Sequence, residues 1–282
     1  MNTLTDKQII LNKYYEKNAV LAGSGCETCE KEFFTDGAYE LLYEDNEPVL
    51  YFKKSKMRGG ETPLFYNFLV LDESGWKEAG RLLKAYLSKN RTKTAVFAVE
   101  EYLEDENKMV LSLAGKTDHV SVRMSNHDIC RNSVEDGPTE VQIEPFVKGK
   151  DESRFVKIFN TTFRGLCVPT SLDEVSAWTR LDSFDSNTYF FAEKHGRTVG
   201  FIAIETDDAQ KCSYLQEIGV IDEEKGRGVS DALMSAGMKS VESKKIIRMN
   251  TGVNFGNGTA LRFFKKWGFE ELYKKKFMRY TG

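Results

Sequence analysis

The segment Lys225-Gly226-Arg227-Gly228-Val229-Ser230 sets two glycines and two cations at a junction. The apolar run before it, Tyr214 to Ile221, reads as a strand, and Val229 to Val241 after it has helical spacing. The first turn of a helix presents unpaired amide N–H groups and a partial positive charge. Glycine lets the backbone come close to a ligand. With Lys225 and Arg227 beside it, such a junction is an anion site, and the guest it fits is a phosphate or pyrophosphate. Two familiar phosphate loops are excluded. Gly228 is followed by Val229 and Ser230 rather than by Lys and Ser or Thr, and Asp231 stands where a G-x-G-x-x-G pattern needs its last glycine. A plain tight connection also uses a Gly-x-Gly turn, so the neighbouring elements have to decide.

Downstream, Lys245 to Val253 reads as a second strand. In Asn257 to Phe269, the residues Ala260, Phe263, Phe264 and Trp267 fall at helical spacing and mark a core-facing stripe. Asn257 sits where an N-cap belongs and Gly268 at the C′ stop. Phe277 to Tyr280 forms a last strand. Glu217, on the strand before the loop, is a carboxylate placed to accept a proton if part-buried. Its other reading is a salt-bridge partner. Gln216 points to the opposite face by strand alternation.

From about Glu140 to Tyr280 the chain resembles the GNAT superfamily of acetyl-CoA-dependent N-acetyltransferases. The family loop, [Q/R]-x-x-G-x-[G/A], is met by Lys225 to Ser230, with Lys225 for Gln/Arg and Ser230 for Gly/Ala. The later pattern N-x-x-A-x-x-(apolar)-Y-x-x-x-G-F is met from Asn257 to Phe269, with Phe264 in the Tyr position. The resemblance implies that Ile218, Gly219 and Val220 run beside the pantetheine arm of acetyl-CoA. It implies that the amides of Lys225, Gly226, Arg227, Gly228, Val229 and Ser230 hold the diphosphate, that Asn257 bonds the pantetheine region, and that Phe264 stands at the cofactor. Acetyl transfer then goes to a primary amine of a small molecule or peptide, with Glu217 as base. Phe264 has no hydroxyl, so the departing thiolate is served by Tyr214, by Tyr273 or by water, or else the domain binds acetyl-CoA without turnover. A non-catalytic acyl-CoA-binding or regulatory module is the alternative that Phe264 favours.

Composition narrows the field. The 282 residues, 40% hydrophobic and 29% charged, suit a globular protein long enough for two domains. A net charge of −3 argues against a nucleic-acid or membrane-surface role. No apolar run reaches the ~20 residues of a membrane helix. The start lacks the basic-then-apolar order of a signal peptide, so the expected compartment is the cytoplasm. Cys26 and Cys29 form a C-x-x-C without the partners that a zinc or redox site requires, so the reading is reduced thiols and no metal; a metal or redox site built on them is the contrasting idea. Cys167 and Cys212 read as small buried fillers, and Lys274-Lys275-Lys276 as the solvated start of an edge strand.

The chain also repeats itself. Tyr39 answers Tyr189, Val49 answers Val199 and Val70 answers Val220, each 150 residues on. Both copies read as hairpin, strand, helix, which points to a duplicated domain. The expected fold is α/β (α+β): two GNAT-like domains in tandem, each a mixed, mostly antiparallel twisted sheet flanked by helices. The expected limits are 1–131 for a degenerate first domain, 132–139 for a linker and 140–282 for the acetyltransferase domain. In the first copy Ser74-Gly75-Trp76-Lys77-Glu78-Ala79 replaces the loop, with Trp76 crowding the pyrophosphate position and Glu73 and Glu78 satisfying the helix start. That domain is expected to pack against the second or to supply a wall of the acceptor pocket.

Overall fold

The computed structural model of the chain describes residues 4–19, 38–57, 61–71, 75–131, 140–181, 184–208 and 211–282. Cys26, Cys29, Glu73, Ser74 and the expected linker 132–139 lie outside them. In chain order the elements are α1 (Leu4–Lys17), β1 (Ala38–Glu44), β2 (Glu47–Lys56), β3 (Pro63–Val70), α2 (Trp76–Lys89), β4 (Thr94–Glu100), α3 (Glu104–Ala114), β5 (Thr117–Asn126), β6 (Gln142–Pro145), α4 (Glu152–Thr162), α5 (Leu172–Trp178), β7 (Tyr189–Lys194), β8 (Arg197–Asp207), β9 (Cys212–Val220), α6 (Val229–Ser243), β10 (Arg248–Asn254), α7 (Gly258–Lys266) and β11 (Glu270–Thr281). The sequence reading left α3 unassigned. Among the described residues no helix is long and apolar enough to cross a membrane.

Two compact units emerge. One gathers residues 1–123, 253–261 and 271–282; the other gathers 124–252 and 262–270. Each is therefore discontinuous in sequence, where a contiguous split was expected.

In the first unit the strand order is β1-β2-β3-β4-β11-β5. Asp45 and Asn46, both at positive φ, make the two-residue turn of the β1–β2 hairpin. β3 and β4 pair in parallel, and β4 then pairs antiparallel with β11 from Thr94↔Thr281 to Glu100↔Lys275. The expectation of a solvated edge at Lys274 to Lys276 is thereby corrected. β11 has a neighbour on each side, and Lys275 is 9% exposed, with Nζ 2.8 Å from Glu100 Oε1 directly across the ladder. Opposite charges facing one another across a pair make that position tolerable for a buried lysine. Phe52, Phe65, Phe68, Phe97, Leu83, Met109 and Met278 belong to the core of this unit.

In the second unit the order is β10-β9-β8-β7-β6. Its hairpin turn, His195 and Gly196, lies 150 residues after that of β1–β2 and has the same positive φ at both residues. β6 to β9 are antiparallel and β9–β10 is parallel. On one face α4 buries Phe155, Ile158 and Phe159; Phe155 meets Phe201 edge-on and Phe159 meets it tilted. α5 opens with the expected capping box between Ser171 and Glu174. On the other face α6 comes so close at Gly237 that an added Cβ would lie 2.6 Å from Ile204 Cδ1. Cys167 and Cys212 are not buried fillers: Cys167, in the loop after α4, is exposed and Cys212 is half-buried.

Two glycine substitutions separate tight packing from idle freedom. A Cβ on Gly200 would lie 2.8 Å from the Gly219 carbonyl oxygen, a backbone atom with little room to yield. Gly200→Ala should destabilise by ~1–3 kcal/mol. At Gly80, inside α2, the nearest atom would be at 3.6 Å. Gly80→Ala should stabilise by ~0.5–1 kcal/mol. Urea or thermal unfolding of both variants reads the opposite signs; a neutral Gly200→Ala would contradict the packing at the β8–β9 pair.

Candidate active site

Gly228 is the N-cap of α6 and sits in the left-handed region at φ 80° with no side-chain capping bond; Gly226 has φ 75°. A side chain at either position would be strained. The start of a 15-residue helix is thus left to main-chain donors, as the sequence predicts for an anion site. The flanking cations rest on carboxylates of the turn before them. Lys225 Nζ lies 2.6 Å from Asp222 Oδ1 and holds that carboxyl below its usual range, while Arg227 reaches Glu224 only at 3.9 Å. These side chains are exposed, apart from Glu224, and such pairs are weak. Asp231, in the first turn, is turned to structural use: its Oδ1 accepts from Lys266 Nζ at 2.8 Å and from the indole of buried Trp267 at 2.9 Å.

β9 carries the second part of the site. Its parallel ladder with β10 runs from Cys212↔Arg248 to Leu215↔Thr251 and stops, whereas its ladder with β8 continues to Val220↔Gly200. Ile221 N–H donates to Val199 O across β8. Successive residues of a strand turn their backbone groups to alternate sides. Val220 and Ile218 therefore present N–H and C=O to the unpaired side, and Gly219 presents its own to β8. Gly219 is required for packing, since an added Cβ would stand 2.8 Å from Thr162 Oγ1 and 2.9 Å from Phe201 Cε1.

A bulge marks the place where the strands part. Ala203 pairs with Glu217 and Ile204 with Leu215, so Gln216 is the extra residue. The alternation that set Gln216 opposite Glu217 is broken. Gln216 is exposed and donates from Nε2 to Glu205 Oε2 at 2.7 Å. Glu217 shares a face with Ala203, the face on which α4 packs, and is half-buried. Next along that face lies a row across three strands, Glu205–Tyr214–Asn250, and then Asp207–Cys212–Arg248. Asn250 Oδ1 and Arg248 Nε are buried and without a partner among the described residues. Glu217 thus stands at the parted end of a polar strip.

The remaining predicted residues are placed as follows. Asn257 caps α7, accepting from Ala260 N–H at 3.1 Å, and is exposed. Phe264 is 4% exposed and packs edge-on against Phe263 and Phe269, so no phenol occupies that position. Of the two hydroxyls considered, Tyr214 lies in the strip just described and Tyr273 packs edge-on against Tyr102. Among the described residues no three His, Cys, Asp or Glu side chains are grouped to hold a metal. Sequence reasoning did not find the Gln216 bulge or the strip, because a bulge leaves no periodic signal and the strip is assembled by register.

Known proteins resemble the chain in sequence and in fold. Residues 153–269 match the family model described as Acetyltransferase (GNAT) family. The chain is 24% identical over 139 residues to a mycothiol acetyltransferase of Streptomyces griseus, a match covering 47% of this chain and 44% of that protein. It is 29% identical over 94 residues to an uncharacterized N-acetyltransferase of Methanocaldococcus jannaschii, covering 31% and 41%. These matches span less than half the length of the curated relatives. Among solved structures, a GCN5-related N-acetyltransferase from Sphaerobacter thermophilus superposes with a TM-score of 0.77 at 15% identity, covering 98% of this chain and 93% of that one. A tandem GNAT protein from the clavulanic acid biosynthesis pathway gives 0.64 at 13% identity, covering 98% and 95%. The fold is that of a tandem GNAT protein, and residues 153–269 are similar to the GNAT acetyltransferase family.

Proposed function

We propose that this chain is an N-acetyltransferase that moves an acetyl group from acetyl-CoA to a primary amine of a small molecule or peptide, with residues 140–282 as the working half. One observation carries the reading: β9 offers the Val220 and Ile218 amides on an unpaired side, and the loop that follows it ends in a helix start capped only by a left-handed glycine. Strand donors suit the amide-rich pantetheine arm and the helix start suits a diphosphate, so both ends of one ligand are provided for by consecutive segments. Acetyl-CoA supplies the activated acyl thioester. In this reading Gly226 to Ser230 hold the diphosphate, Ile218 and Val220 align the arm, and Asn257 adds a bond. Glu217 accepts the proton of the incoming ammonium, and Glu205 and Asn250 offer acceptors to the rest of a cationic substrate. The expected compartment, the cytoplasm, is part of the same proposal.

A second reading, an acyl-CoA-binding or regulatory module without turnover, is favoured by one feature. Phe264 fills with a buried ring the position where the family carries a phenol. Water, Tyr214 or Tyr273 must then serve the leaving thiolate if the chain is an enzyme.

Calorimetric titration should show acetyl-CoA binding to the intact chain, weakened at least ~10-fold (about 1.4 kcal/mol) by Gly228→Val. Unchanged binding in that variant would remove the loop from the site. For Glu217→Gln, thiol release with a responsive amine should fall by about 10²–10⁴ while cofactor affinity stays as it was. An unaltered rate would exclude Glu217 as base. Tight binding with no thiol release on any amine of a broad panel would decide for the module.

A further inference from the structure

The first unit repeats the geometry of the second up to the point where a ligand would enter. Its parallel ladder runs from Leu64↔Val96 to Tyr66↔Ala98 and stops, although β3 continues to Val70 beside β2. It carries its own bulge: Tyr51 pairs with Leu69 but Lys53 with Tyr66, and Asn67 turns at φ 53°. Leu71 N–H donates to Val49 O at 2.8 Å, matching the bond from Ile221 to Val199 at 2.9 Å. By the same alternation Val70 must turn its N–H toward the unpaired side, as Val220 does.

In the first unit that amide is taken. Val70 N–H donates to Glu106 Oε1 at 2.8 Å. Glu106 lies on α3, three residues after the N-cap position Leu103. Three residues after the cap Asn257, α7 carries Ala260, with only a methyl group. Where one helix is trimmed, the other sends a carboxylate back to the strand. Glu106 is fully buried, Lys17 Nζ from the end of α1 pairs with its Oε1, and its Oε2 has no partner among the described residues. The end of α1 is fastened in turn: Tyr102 Oη donates to Asn18 Oδ1 at 2.6 Å, and Asn18 Nδ2 donates to Tyr14 O at 2.8 Å. Burying a charge costs several kcal/mol unless it is paired and hydrogen-bonded, so an unpaired oxygen here is an expensive feature for a packing residue.

We propose that the first unit fills its own acyl-binding slot: the Glu106 carboxylate, anchored by Lys17, occupies the Val70 amide as an internal ligand, so the full chain takes up one acetyl-CoA and not two. The slot is then a carboxylate site whose occupant is covalently attached. This inference rests on the acetyl-CoA reading for its stoichiometry and on the first unit alone for its chemistry.

The test has two arms. Acetyl-CoA titrated into the full chain should saturate at one equivalent, and Gly228→Trp should bind none. A second equivalent, or binding that survives in Gly228→Trp, overturns the proposal while leaving an acetyl-CoA protein. In the other arm, Glu106→Ala removes the equivalent of one acetate. Its melting temperature should fall, and sodium acetate should raise it by more than it raises that of the parent, whereas sodium chloride at equal ionic strength should not. Glu106→Gln, which keeps an acceptor for Val70, should melt above Glu106→Ala. If Glu106→Ala does not fold, Glu106→Gln and the titration of the parent decide. If the parent binds no acetyl-CoA, the loop assignment at Gly228 fails, and the acetate response judges the slot by itself: no selective response overturns it.

Discussion

Everything proposed for this chain depends on the early end of a parallel ladder. β9 and β10 stay paired for only four residues of each strand, and the extra residue Gln216 comes immediately after the last pair. A bulge bends and twists the strand that carries it. β9 is thereby drawn along β8 and away from β10, and two of its residues are left with main-chain groups that no neighbouring strand takes. Main-chain groups turned away from any neighbouring strand are open to other partners, water or a ligand. The helix start at Gly228 then adds a positive end to a lane of donors.

Much of this was legible in the sequence, for reasons that can be named. The hairpins were found because two-residue turns need particular residues, and Asp45-Asn46 and His195-Gly196 supply them. α6 and α7 were found because their apolar spacing and caps agree, with Asn257 and Gly268 at the two ends of α7. What escaped was whatever depends on register. A one-residue bulge reverses the face on which each later side chain falls, so Gln216 was assigned by an alternation that does not hold there. Lys275 was read as solvated because three lysines in a row look polar, and only the pairing with Glu100 reveals why one of them is buried. The linker and the Cys26–Cys29 pair lie outside the described residues.

The two copies share an opening between strands and differ in what meets it. Both keep the shortened ladder and the bulge, so the opening between strands is a property of the fold and not of the ligand. The copies differ at side-chain scale. Both helix starts are capped by a glycine at positive φ without a side-chain bond, Gly228 in one and Gly75 in the other, but α2 opens with Trp76 and engages its first-turn Glu78 with Arg81. One has Ala260 near its helix start, the other Glu106. The second set of residues satisfies locally what the first leaves open.

The strand partner of β4 has a consequence for how the molecule comes into being. β11 follows every other described element in the chain, yet Met278 sits in the core of the first unit and Lys275 neutralises Glu100 there. During synthesis β4 is made long before the strand that completes it, and its edge stays open through the translation of some 170 further residues. The first unit cannot reach its final state as an independent early-folding body. Its assembly waits on β11, and until then β4 keeps an exposed edge that nascent-chain factors would have reason to shield.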